Sequence, residues 1–268
     1  MLGMTKNKRK SLFVIPNAVR NLVLSTKYKG EIHMTYAEYK NEMLEAATED
    51  RVRADFLDRH IRITNCEYKT LGIKTPFVKK LAKSVPTDAR AEIVEACIAD
   101  AALDPIYETV LFASFVAARK GDYAFTLDSI KRLVPLFGSW AHVDCTVPCL
   151  KWASADRLMD DIAYMYESDW VYEKRFYIIC LMCFCLTEAR TDFALDRLQS
   201  VVFGEYYVDM AVAWALSEAA VKFYGKTVEL LRARRLPKFV QNKAIQKARE
   251  SFRLTAEQKA ELSELKIA

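Results

Sequence analysis

Glycine and proline are scarce, at seven residues each in a chain of 268. Neither strand-like alternation nor a hairpin turn signal appears between the apolar runs, which excludes a sheet architecture. Helix formers dominate instead, chiefly Ala, Leu, Glu and Lys, and they point to an all-α protein. No apolar stretch is long enough for a bilayer. The nearest, Phe176 to Leu186, covers about half of the roughly 20 residues a span needs, so it reads as a buried helix with no membrane partner. The seven cysteines are odd in number and scattered through apolar runs, which excludes a disulfide framework and implies reduced thiols in a cytoplasmic protein. Cys180, Cys183 and Cys185 lie among Leu181, Met182 and Phe184 with no second ligand pair. That is core packing rather than a zinc site, and no metal or cofactor is expected.

What the chain does have is 52% apolar residues, enough to bury a substantial core. Its net charge of +5 is unevenly spread. Residues 1–33 hold seven Lys/Arg against one Glu, and the remainder is close to neutral. Residues 222–253 hold ten Lys/Arg against Glu229 and Glu250 alone. Within that patch Lys243, Lys247, Arg249 and Arg253 recur at helical spacing, with Phe239 and Phe252 read as core anchors. An excess of one sign against an acidic remainder favours phosphate contact.

Residues 1–33 read as an appendage, either a disordered extension or a mis-assigned start with translation beginning at Met34. From residue 34 to 268 one domain is expected, built from helices of about 10 to 18 residues with short joints. Thr35 to Ala47 and Arg51 to Arg62 open the series, with a break at Asn65 to Leu71. Thr75 caps and Pro76 takes the first position of the next helix. Later segments include Ser139 to Ala153, Asp169 to Leu186, Tyr206 to Phe223 and Pro237 to Phe252. Antiparallel pairs stacking on their neighbours are the natural architecture, although no exact sequence repeat is visible.

The most informative stretch is Phe137-Gly138-Ser139-Trp140-Ala141-His142-Val143-Asp144. Ser139 is a good N-cap, and a helix starting there puts Trp140 and Asp144 four residues apart on one face. Asp144 sits in an apolar segment where a carboxylate needs hydrogen bonds or a cation. It either bonds a neighbouring helix end or serves a site, and spacing alone does not choose. Pro148 cannot donate to the Asp144 carbonyl and should end the helix just beyond. Arg175 is either a surface residue covering apolar area or an anchor for an anion. Trp214 lies among small residues that permit close packing.

These motifs together resemble the bacterial DNA alkylation repair (AlkD-like) glycosylases. The likeness runs from about Met34 to the C-terminus through Leu71-Gly72-Ile73-Lys74-Thr75-Pro76, Trp140-Ala141-His142-Val143-Asp144, Arg175-Phe176, Ala213-Trp214-Ala215-Leu216-Ser217-Glu218 and Asn242 to Lys247. The resemblance implies a curved superhelical stack of HEAT-like antiparallel helix pairs with duplex DNA in the groove, in a monomeric protein acting at the bacterial nucleoid. It also implies excision of N3- or N7-alkylated purines, with catalytic Asp144, Trp140 and Trp214 around the deoxyribose and with Arg175 on the DNA backbone. Lys243, Lys247, Arg249 and Arg253 complete the expected DNA contacts. Ala141 stands where well-known members carry an aromatic or polar residue, and Tyr68 is the candidate for their groove tyrosine. The rival functions are a non-catalytic HEAT-like DNA-binding or scaffold protein and a protein-interaction solenoid.

Overall fold

The computed structural model describes residues 33–47, 55, 56, 59 and 68–268. The appendage read at residues 1–33 and the helix expected at Arg51 to Arg62 fall almost wholly outside the described residues, as does Cys66. Among the described residues there are thirteen α-helices and no strand, only an isolated bridge between Lys69 and Ile106. None of these helices is long and apolar enough to cross a membrane.

Two rows of helices make the stack. One row runs α4 (Tyr107–Ala117), α6 (Trp140–Thr146), α8 (Val171–Cys180), α10 (Tyr206–Lys222) and α12 (Lys238–Glu250), each packed on the next. The other comprises α3 (Arg90–Ala101), α5 (Tyr123–Leu133), α7 (Ala155–Asp161), α9 (Thr191–Ser200), α11 (Tyr224–Arg232) and α13 (Ala256–Glu264). The chain enters through α1 (Tyr36–Ala46) and α2 (Thr75–Ser84). Every residue of α4 is buried, as an apolar run without a polar face requires.

A repeat too degenerate to see in the sequence appears as polar links between successive helices of the second row. Arg132 pairs with Glu95, Tyr123 donates to Asp161, Arg190 pairs with Asp156, Lys226 with Asp192, and Arg232 with Glu261. Partners lie 29 to 38 residues apart, about one helix pair.

Local chemistry sets the ends. Thr35 and Glu38 form a capping box at α1, and Ser139 Oγ accepts from the Ala141 amide at 3.2 Å to start α6. Pro148 ends α6 as expected, and the chain continues as a 3₁₀ turn over Val147–Leu150. Similarly, α8 stops at Cys180 and widens into a π-turn over Leu181–Cys185. Thr75 does not cap α2; it is already helical, and Lys74 at the cap position makes no side-chain bond. The turn before α2 is held from a distance. The Glu108 carboxylate, fully buried, accepts from the amides of Leu71, Gly72 and Ile73 at 2.9, 2.8 and 3.2 Å. Burial lifts that carboxyl above its ordinary range, and the three amides pull against the lift. Gly72 is at φ 76°, where a side chain would be strained.

Candidate functional site

Helices α6, α8 and α10 are neighbours in the first row, and each carries one part of the site. Trp140 opens α6, and Asp144 follows one turn later on the same face. Arg175 sits in the second turn of α8, and Trp214 is midway along α10. Both indoles are half-buried, so each keeps part of its surface open.

Asp144 and Arg175 meet directly. Arg175 Nε donates to Asp144 Oδ1 at 3.0 Å and Nη2 to Oδ2 at 2.8 Å, a bidentate fork. The remaining guanidinium nitrogen donates to the Tyr207 carbonyl at 2.7 Å, which ties α6, α8 and the first turn of α10 to one another. This is the arginine expected on the DNA backbone; its side chain is 5% exposed, against 12% for Asp144. Both members of the pair are thus largely withdrawn from solvent. Burial raises the Asp144 carboxyl from its ordinary range, and the adjacent guanidinium pulls it back.

His142 locks the turn that delivers Trp140 and Asp144. Its Nδ1 accepts from the Gly138 amide at 3.3 Å, and its Nε2 lies 3.0 Å from the Tyr107 carbonyl, which assigns the proton to Nε2. The ring lies 4.4 Å from Tyr107 and 5.3 Å from Phe137, with Tyr68 edge-on at 6.1 Å. Tyr68 itself is half-buried and donates its hydroxyl to the Leu136 carbonyl, so it supports this turn. Burial drops the His142 pKa from 6.5 to about 4. The folded protein keeps the ring neutral while the unfolded chain protonates it, so stability is full above about pH 6.5 and falls as pH drops toward 4. The loss should approach about 3 kcal/mol. Melting temperature followed from pH 7 to 4.5 should fall more steeply for the wild type than for His142→Gln; parallel slopes would reject this role.

Cationic groups lie on two other helices of the stack. On α2, Lys79, Lys80 and Lys83 line an open depression with Thr75 and Pro76. Sequence reading passed over these lysines, although Lys74 to Ser84 contains four lysines and no acid. Lys243 and Lys247 are half-buried along α12, and Arg249 and Arg253 are exposed. The aromatic anchors expected there are not in the core: Phe239 is 42% and Phe252 93% exposed. Helix α12 ends at Glu250, which leaves Phe252 in the turn beyond, off the helical period that suggested burial. The small residues around Trp214 do serve packing, with Ala211, Ala213 and Ala215 fully buried.

Desolvation pushes the exposed Cys183 thiol up to about 11, with Lys222 pulling against the rise and the charges of Asp144 and Glu218 adding to it. Glu218 follows Trp214 by one turn of α10. Among the described residues no cluster of His, Cys, Asp and Glu is placed to hold a metal ion.

A family model described as DNA alkylation repair enzyme matches residues 41–252, well over half of the chain. No curated protein matches it significantly.

Proposed function

The chain belongs to the DNA alkylation repair enzyme family, and from that premise we propose that it is a DNA glycosylase releasing cationic N3- or N7-alkylated purines from duplex DNA. The carrying observation is the Asp144–Arg175 fork, whose carboxylate keeps a small part of its surface open on a row of helices that also bears two half-open indoles.

An alkylated purine already bears a positive charge. When its glycosidic bond breaks, the bonding electrons neutralise the leaving base, so no general acid is required. The cost lies in the oxocarbenium-like sugar left behind. Asp144 would face that sugar with opposite charge and accept a proton from the water that attacks the anomeric carbon. Trp140 and Trp214 would offer their faces to the same cation, at about 1 kcal/mol each or more where water is excluded. Arg175 would keep the carboxylate ionised and aimed. Lys79, Lys80 and Lys83, together with Lys243, Lys247, Arg249 and Arg253, would hold the phosphates. A base that stays stacked during the reaction would need no enclosing pocket, unlike one that is flipped.

Incubation with duplex DNA containing N7-methylguanine is the test. Free base and heat-labile abasic sites are expected; their absence, with salt-dependent duplex binding retained, would select a non-catalytic DNA-binding protein. One observation favours that second reading, since both oxygens of Asp144 already accept bonds from Arg175. Each oxygen nevertheless retains a lone pair for water.

A further inference from the structure

We propose that the edge where α8, α10 and α12 begin joins two copies of this chain about a two-fold axis, in place of the single chain that the resemblance implies. Five aromatic rings run along that edge. Trp170 packs edge-on to Tyr172 with ring centres 5.8 Å apart, Tyr172 lies 6.4 Å from Tyr207, Tyr207 5.1 Å from Tyr206, and Tyr206 5.9 Å from Phe239. Trp170, Tyr206 and Phe239 are 44%, 55% and 42% exposed, and Val202 is exposed in the loop that leads into α10. Single apolar side chains on a surface need no explanation, but a contiguous line of large ones marks a contact surface.

The inner rings are fixed in place. Tyr172 is buried and donates its hydroxyl to the Gly138 carbonyl at 3.4 Å, and the Tyr207 carbonyl accepts from Arg175 at 2.7 Å. The outer rings pack on these two, so presenting the edge to a partner costs little further ordering.

Charge selects the occupant. Asp169, Glu173 and Glu205 adjoin Trp170, Tyr172 and Tyr206 in the chain, with Lys174 a cation among them, whereas Arg234, Arg235 and Lys238 lead into Phe239. DNA laid along this edge would meet the acids at one end. A second copy turned end for end meets them with its own cations instead, and places its acids on the cations of the first. Rings at the centre and charges at the rim are the composition of a protein interface, and a surface complementary to itself closes as an isologous pair. The size sets the strength. Two interaxial steps make an edge about 20 Å long, which offers less than the roughly 800 Å² per partner of a standard interface, so a dimer dissociating at micromolar concentration is expected.

Sedimentation equilibrium of the full chain from about 1 to 100 μM is the test. The mass should rise with concentration from one chain toward two, and less so at high salt. Tyr206→Ala should weaken pairing about a hundredfold, because the axis applies a tenfold loss twice. Asp169→Lys and Lys238→Asp should each weaken it, and the chain carrying both should recover, since the exchanged charges meet again across the axis. A swap that does not recover overturns the end-for-end arrangement. A wild type that stays a single chain throughout, or a dimer indifferent to Tyr206→Ala and Phe239→Ala, overturns the proposal. Duplex affinity lost in Tyr206→Ala while the wild type never pairs assigns the edge to DNA and overturns it as well. The readout is mass, so each outcome stands apart from release of N7-methylguanine.

Discussion

Asp144→Asn is expected to slow N7-methylguanine release by at least a hundredfold, the scale on which one preorganised electrostatic group acts in a transition state. The substitution keeps size and shape, and the amide oxygen still accepts one bond from Arg175. It removes the charge that opposes the sugar cation and the base that takes the proton from water. Loss of the second charged bond should cost about 1–3 kcal/mol of stability, so rates should be compared well below the melting temperature. Duplex affinity should hardly change, since Asp144 acts on a charge that develops only in the transition state. The pH profile supplies an independent reading. Because burial lifts the Asp144 carboxyl above its ordinary range, the wild-type rate should fall on acidification sooner than an exposed aspartate would allow and be level above that range. The residual rate of the Asn variant should lack the step. Full-rate excision by Asp144→Asn would end the assignment of this residue.

What the sequence could and could not reveal follows from the range of each interaction. Ser139 with Trp140 and the break at Pro148 are settled within four residues, and both stand where the sequence puts them. The partners of Asp144 and of the Leu71 to Ile73 amides lie 31 to 37 residues away. A carboxylate in an apolar run announces that it needs a partner without saying which. The arginine was visible, yet its choice between a phosphate and Asp144 depends on α6 and α8 lying side by side. Glu108 gave no local sign at all, because its ligands are backbone amides of another segment. The exposed Phe252 was misread for a different reason. Helical spacing was carried two residues past Glu250, the last residue of α12, and at a helix end that error moves a side chain from core to solvent. Inside the uniformly apolar run from Phe176 to Leu186, nothing marks the change to a π-turn at Leu181.

Arg175→Ala is expected to be the most damaging single change to stability. It strands the Asp144 carboxylate, already lifted by burial, without a counter-charge. It also deprives the Tyr207 carbonyl of its donor and opens a void where α6, α8 and α10 join. Breaking one side of a buried pair costs about 3–5 kcal/mol, a fall of roughly 10 °C in melting temperature for a domain of this size. Arg175→Lys should recover only part, because a point charge cannot reproduce the fork. The double variant Asp144→Ala/Arg175→Ala should be no less stable than Arg175→Ala alone, since no unpaired charge remains buried. DNA binding separates this positioning role from a phosphate contact. A phosphate ligand would, when removed, reduce the slope of log affinity against log salt by about one. A buried guanidinium bonded to Asp144 and Tyr207 leaves that slope unchanged while excision fails. A reduced slope with an undiminished melting temperature would return Arg175 to the DNA backbone and leave Asp144 without the partner that aims it.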